Sequence, residues 1–336
     1  MRLVIATPLY PPEIGGPATY AKFLVEGLPK KSIEADLVKF SDVRHLPKII
    51  RHYAYYCHVL KAARYADVIL ALDPVSTGLP ALCAAKRIKK PFVVKIVGDY
   101  AWEQGQQRFG ITQNLDEFVR TEQKNSFVRT LQQIQKYVAQ NATKIIVPSE
   151  YLKTIVMAWG IPPEKIYVFF NGIELPERIP TQQKNEGEFL IVSAGRHVPW
   201  KGFEAIEDVA REHAKNWRVF IASGLPRIDA LSWIKTADVF VLNSQYEGLS
   251  HVLIEAMTIG TPVIATNAGG NKTLVVNGET GLLIPPGNNA SLLEALTTVA
   301  NDPATARKRA ITAQKRMDDF SLQHMIDVTA EFLKSL

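Results

Sequence analysis

Cysteine is nearly absent: Cys57 and Cys83 are the two in 336 residues, and they have no metal-ligand spacing. A disulfide-dense secreted scaffold and a zinc module are therefore excluded, and the pair reads as reduced thiols in a cytosolic core. No apolar run is long enough to span a bilayer, and Met1 to Thr7 reads as a strand rather than a targeting segment. The expected location is cytoplasmic, with peripheral attachment at the inner face of a membrane left open. Asp-x-Asp does not occur, so the short acidic motif that chelates a divalent cation is missing, and neither metal nor cofactor is expected. Short-period repeats and low-complexity tracts are missing too. What is present is an ordinary globular composition, with 47% hydrophobic residues, mean hydropathy of -0.01 and a length that exceeds one core. Two domains follow.

The formal net charge of +6 is unevenly spread. Residues 1–170 carry 23 Lys+Arg against 14 Asp+Glu, and the remainder 16 against 19. A basic half suits nucleic acid, anionic lipid or a phosphorylated acceptor. No nucleic-acid module signature accompanies it, so no nucleic-acid partner is expected and an anionic membrane surface is preferred. From Arg44 to Tyr65 the run RHLPKIIRHYAYYCHVLKAARY sets basic and aromatic residues at helical spacing. Such a helix is either a partly buried layer with a solvated basic face or an interfacial anchor.

The stretch that organises the chain is VFVLNSQYEGLSHVLIEAMTIGTPVIAT, Val239 to Thr266. Its apolar ends read as buried parallel strands, the polar run Asn243 to Ser250 as a loop, and Val252, Leu253, Ala256 and Met257 as one helix face. Glu247 at the helix entrance and Glu255 further along are about two helical turns apart, which lets both face one side. A carboxylate accepts two hydroxyl hydrogen bonds, so the pair suits vicinal diols or a cation; the plainer alternative is a helix cap and a solvated helix residue. Further upstream, Phe189 to Ala194 is a strand ending in GRHVPWKG, which brings Arg196 and Lys201 to a helix start. Two cations there fit a diphosphate, the alternative being surface charges on a loop. Near the amino terminus, Gly15 and Gly16 precede a helix. Paired glycines let backbone amides approach a phosphate or a sugar hydroxyl, although such pairs are often only turns.

The segment SQYEGLSHVLIEAMTIGTPVIAT, with its Glu-x7-Glu spacing, and GRHVPWKG together resemble glycosyltransferase family 4, also called group 1, whose members are retaining nucleotide-sugar transferases of GT-B fold. The resemblance implies an α/β architecture of two Rossmann-like domains facing across a cleft. The first, acceptor-side domain would be 1–172 with a returning helix at 320–336. The linker would be 173–188, and the nucleotide-sugar domain 189–319. It also implies roles: Arg196 and Lys201 as diphosphate ligands, Glu255 on ribose, Glu247 on the sugar, amides of Gly248, Leu249 and Ser250 on the departing charge, and Gly15 and Gly16 facing the donor. A histidine common in relatives is replaced by Val97, leaving Gly98-Asp99; Asp99 is then a candidate contact to sugar or acceptor, or a cap of the next segment. Trp102 and Glu103 are placed at the acceptor, with Gln104 to Lys124 as a mobile element over it.

Two departures accompany the likeness. Between Trp217–Ala222 and ADVFVLNS the chain has room for one short helix, so about one strand-helix unit of the second domain, the part that usually reads the base, is missing. Thr273 stands where relatives commonly carry Glu. The resulting expectation is metal-independent transfer of a hexosyl group from a nucleotide diphosphate sugar to a glycan or lipid-linked acceptor. The alternative is a catalytically silent nucleotide-sugar-binding subunit.

Overall fold

The computed structural model describes residues 1–13 and 15–336. It divides into two compact units, Met1–Gly172 with Leu322–Leu336, and Ile173–Ser321. The first runs β1 (Arg2–Thr7), α1 (Gly16–Gly27), β2 (Glu34–Lys39), α2 (Lys48–Ala62), β3 (Val68–Ala71), α3 (Gly78–Ile88), β4 (Phe92–Lys95), α4 (Tyr100–Arg108), α5 (Leu115–Arg120), α6 (Ser126–Asn141), β5 (Lys144–Val147), α7 (Glu150–Ala158) and β6 (Ile166–Val168). The second runs β7 (Phe189–Ala194), α8 (Phe203–His213), β8 (Trp217–Ala222), α9 (Arg227–Thr236), β9 (Val239–Leu242), α10 (His251–Ile259), β10 (Val263–Thr266), α11 (Asn271–Leu274), β11 (Leu282–Ile284), α12 (Asn289–Asn301) and α13 (Pro303–Gln314). Helix α14 (Leu322–Lys334) closes the first unit.

Every strand pairing is parallel, in the orders β2-β1-β3-β4-β5-β6 and β11-β10-β9-β7-β8. Parallel neighbours require crossovers, and the helices that supply them cover the sheet faces, which is why the inner strands are short apolar runs such as VILA and VFVL. Each sheet has one place where successive crossovers leave in opposite directions. In the second unit it lies between β7 and β9, so the loops leaving those strands meet at the sheet's carboxyl edge. Those loops carry Arg196 to Lys201 and Asn243 to Ser250.

The core of the first unit packs β1, β3 and β4 against Tyr20 and Leu24 of α1 and Ile326, Ala330 and Phe332 of α14. A Cβ placed on Gly27 would lie 2.7 Å from Ile326, so the two helices approach at a glycine. Inside this core Lys95 is 1% exposed, its amine 3.8 Å from the centre of the Tyr20 ring, and burial lowers its pKa to about 7.

One sequence expectation changes, and two further segments gain detail. Both cysteines are exposed rather than buried, because the helical phase of α2 and α3 turns them outward from Val59 and from Leu82 and Ala84. Gln104 to Lys124 is about half helical: α4 extends to Arg108, and α5 starts at an Asn114 cap whose side chain accepts from Glu117 N at 2.9 Å. The run 173–188 is fastened to the second unit, where Gln182 N donates to Thr236 Oγ1 at 2.8 Å, Lys235 Nζ donates to Ile179 O at 2.7 Å, and Lys184 pairs with Asp238.

Candidate active site

The loop after β7 is shaped by two glycines. Gly195 has φ of 143°, and a Cβ there would lie 3.3 Å from Lys201 Cε, so the bare backbone leaves room for the lysine stem. Gly202 has φ of 61°, and a Cβ there would come within 2.7 Å of Asn243 O. Only glycine fits both that conformation and that approach. The loop is tied across the switch point by Asn243 Nδ2 donating to Gly202 O at 3.0 Å and Gln245 N donating to Trp200 O at 2.8 Å.

Lys201 and Glu247 meet on this frame. Lys201 Nζ donates to Glu247 Oε1 at 2.5 Å, Ser244 Oγ donates to the same oxygen at 2.7 Å, and both charged side chains are 13% exposed. The lysine retains further N–H donors and the carboxylate a second oxygen, so the pair can take an anion on one side and hydroxyls on the other. Arg196 is exposed on the loop that leads from β7 to Lys201. Glu247 is neither in α10 nor its cap: Ser250 caps the helix, accepting from Leu253 N at 3.4 Å. The two-turn spacing of the acids therefore does not apply, because Glu247 lies four residues before the first helical residue.

A second glycine loop holds Glu247 from behind. Gly270 N donates to Glu247 O at 2.8 Å, and a Cβ on Gly269 would stand 2.0 Å from that oxygen. On Gly270 it would stand 2.2 Å from Gly248 O. The backbone of Gly248, Leu249 and Ser250 is thus fixed between β10 and the start of α10, whose first amides are the natural place for negative charge.

Glu255 is held by a residue that sequence reasoning missed. Arg227, the first residue of α9, donates from Nε to Glu255 Oε1 at 2.7 Å and from Nη2 to Glu174 O at 2.8 Å. Burial pushes the Glu255 carboxyl above its ordinary range, and the Arg227 guanidinium offsets part of that shift.

The first unit treats its candidates differently. Gly15 ends the loop into α1, with no side-chain cap, and among the described residues nothing lies within 4 Å of a Cβ placed on Gly16. Asp99 is completely buried and caps α4, accepting from Trp102 N at 2.9 Å. The capping alternative is what the structure gives; this side chain has no surface for a sugar. Trp102 is also buried, with Nε1 donating to Gln113 O at 2.9 Å, so its ring is a core element and not a stacking platform. Glu103 is half-buried and keeps some surface.

Comparison with known proteins now bears on this arrangement. A family model described as glycosyl transferases group 1 matches residues 206–317, and one described as glycosyltransferase family 4 matches residues 14–177. The chain belongs to this glycosyltransferase family. Glycogen synthase of Mycobacterium tuberculosis is 36% identical over 125 residues, 37% of this chain and 30% of that protein. D-inositol 3-phosphate glycosyltransferase of Rhodococcus opacus is 28% identical over 236 residues, 57% of this chain and 53% of that protein. The matches therefore span between about a third and a half of those relatives' own lengths. Among solved structures, Anabaena HepE in complex with UDP is similar over 100% of both chains, with a TM-score of 0.75 at 17% identity. That likeness is one of fold, and it makes the glycosyltransferase a GT-B protein of two Rossmann-like units.

Proposed function

We propose that this glycosyltransferase moves a hexosyl group from a nucleoside diphosphate sugar to an acceptor hydroxyl, with retention of configuration and without a metal ion. The observation that carries the reading is the half-buried Lys201–Glu247 pair at the switch point of the second sheet, on loops that also carry Arg196 and the amides that open α10. Lys201 and Arg196 supply positive charge to a departing diphosphate, Glu247 accepts from sugar hydroxyls and Glu255 from ribose. Little side-chain chemistry is then needed; a leaving phosphate oxygen takes the acceptor proton, and the protein contributes position and charge. The reading gains support from the family and from HepE, whose structures were solved with UDP and with UDP-glucose.

The test is thermal stabilisation by UDP, GDP, ADP and their sugars. Ligand at about a hundred times its dissociation constant adds roughly 2.7 kcal/mol to the native state, and the expected outcome is that one nucleotide does so while Glu255→Ala loses the effect. If that nucleotide sugar binds but is neither transferred nor slowly hydrolysed, the silent-subunit alternative replaces the transferase; the exposed Val97 at the end of β4 is the feature that favours it.

The acceptor side we place at an anionic membrane. Helix α2 buries Tyr55 and Val59 and turns Ile49 (88% exposed), Ile50 (55%) and Tyr53 (68%) outward. Five Lys or Arg and no acid occur from Arg44 to Tyr65. Apolar side chains flanked by cations suit the boundary of an anionic leaflet, each cation adding about 1 kcal/mol near the surface. Ile49→Glu with Ile50→Glu should cut co-sedimentation with phosphatidylglycerol vesicles by about tenfold or more while leaving nucleotide stabilisation intact. Equal binding by the variant, or equal binding of the wild type to phosphatidylcholine vesicles, would remove this role from α2.

A further inference from the structure

Glu247 and Glu255 belong to one loop-helix segment, yet the protein holds them with different cations on different elements. Lys201 reaches Glu247 from the loop after β7, whereas Arg227 reaches Glu255 from the first turn of α9. The second arrangement is the more specific. One guanidinium binds Glu255 Oε1 through both Nε and Nη2 at 2.7 Å and, through Nη2, the carbonyl of Glu174 at 2.8 Å. It thereby joins α9, α10 and the chain that enters the second unit. Oε2 of Glu255 takes no part in these bonds. The carboxylate is only 13% exposed, while the arginine keeps about half of its side chain in solvent.

Two N–H groups of one guanidinium that converge on Oε1 hold that oxygen against α9 and leave Oε2 outside the pair. An ionised carboxylate only accepts hydrogen bonds, and the two vicinal hydroxyls of a ribose both donate. We propose that Arg227 is a positioning residue for nucleotide binding, which turns Glu255 so that Oε2 is presented to the ribose diol of a nucleoside diphosphate. This rests on the assignment of Glu255 as the ribose ligand. Arg227 stands in the region where the chain is short of one strand-helix unit, so part of the nucleotide recognition lost with that unit falls to a side chain on the helix that remains.

The proposal has a pH signature. Burial disfavours the charged form of Glu255 and Arg227 restores it; among the charged groups on α9, on α10 and around Glu174, Arg227 is the one that acts on this carboxyl. Without the arginine, Glu255 protonates at higher pH, and a protonated carboxyl can no longer accept from both hydroxyls. Binding is then lost as pH falls through the raised value.

The experiment measures dissociation constants of UDP, GDP and ADP, and of their 2′-deoxy forms, for wild type, Arg227→Ala, Arg227→Lys and Glu255→Gln. For the nucleotide that binds, Arg227→Ala should weaken affinity by about tenfold near pH 7.5, should weaken more steeply than wild type as pH falls, and should lose the preference for ribose over 2′-deoxyribose. Arg227→Lys should recover the wild-type pH profile but not the full affinity. Combining Arg227→Ala with Glu255→Gln should cost no more than Glu255→Gln alone. A loss in Arg227→Ala that is independent of pH and leaves the ribose preference unchanged would make the arginine a structural clip and overturn the proposal, as would no loss at all. If instead Glu255→Gln binds as well as wild type, or no nucleotide binds the wild type, the assignment of Glu255 itself fails, and the positioning role with it.

Discussion

Lys201→Ala is expected to lower turnover of the nucleotide sugar by about 10²–10³-fold, the scale seen when one preorganised donor is removed from the place where negative charge develops. It should also destabilise the second unit, because Glu247 would keep its burial and lose its cation. Breaking a buried ion pair from one side costs about 3–5 kcal/mol; with Ser244 still donating and a little solvent access remaining, about 2–3 kcal/mol is expected here. The two effects separate in the double variant. Glu247→Gln in the Lys201→Ala background removes the unpaired charge, so urea unfolding should recover most of the lost stability while activity stays low. Turnover of Lys201→Ala within a factor of about three of wild type would show that the lysine holds the loop and does not meet the diphosphate.

Gly269→Ala should be the most damaging conservative change in the second unit. The new methyl would have to stand 2.0 Å from Glu247 O, at a residue whose φ is 53°, so the loop carrying Glu247 must shift for the chain to fold. Backbone strain of roughly 1–3 kcal/mol and overpacking of a further 1–3 kcal/mol add, and about 4 kcal/mol is expected in all. Gly278 gives the control, since its φ is 79° and nothing lies within 4 Å of a Cβ there. Gly278→Ala should therefore show the strain alone, about 1–2 kcal/mol, with nucleotide stabilisation preserved. Gly270→Ala isolates the other contribution, since it clashes with Gly248 O at 2.2 Å without an unusual φ. Denaturant unfolding of the three variants, each with and without nucleotide, reads out both. Should Gly269→Ala and Gly278→Ala cost the same, the glycine loop would not be what fixes the backbone of Glu247.

Much of this was legible in the sequence because parallel strands buried on both faces leave short β-branched runs, and the polar runs between them are the loops at their carboxyl ends. The two acids, the arginine and the lysine stand out for the same reason: they interrupt an apolar pattern where open sheets bind ligands. What the sequence concealed is pairing across the fold. Arg227 lies 28 residues before Glu255 on an unremarkable short helix, and only the packing of α9 on α10 brings them together. The phase of Glu247 was misread because a residue inside the Asn243–Ser250 loop was counted as if it lay at the helix entrance, whereas the helix starts only after the Ser250 cap. Asp99 and Trp102 looked like site residues because they are polar or aromatic after a strand. The cap on α4 and the bond to Gln113 show that both are instead used up locally, in closing the first turn and anchoring the chain that leads to α5.

Strand β8 forms one rim of the second sheet, and five of its six residues are half-buried where the inner strands are fully covered. Just beyond it the chain turns at Gly224, whose φ is 73° and around which a Cβ would meet nothing within 4 Å. A rim followed by an uncrowded turn is a splice point: a strand and a helix could enter between Ala222 and Leu225, pair with the free side of β8, and cut no hydrogen bond between existing strands. The architecture can thus gain or shed a whole crossover at its border while the loops that hold Lys201 and Glu247, one and two strands inward, keep their geometry. Length at this border is free to drift, and the chemistry at the centre is insulated from it.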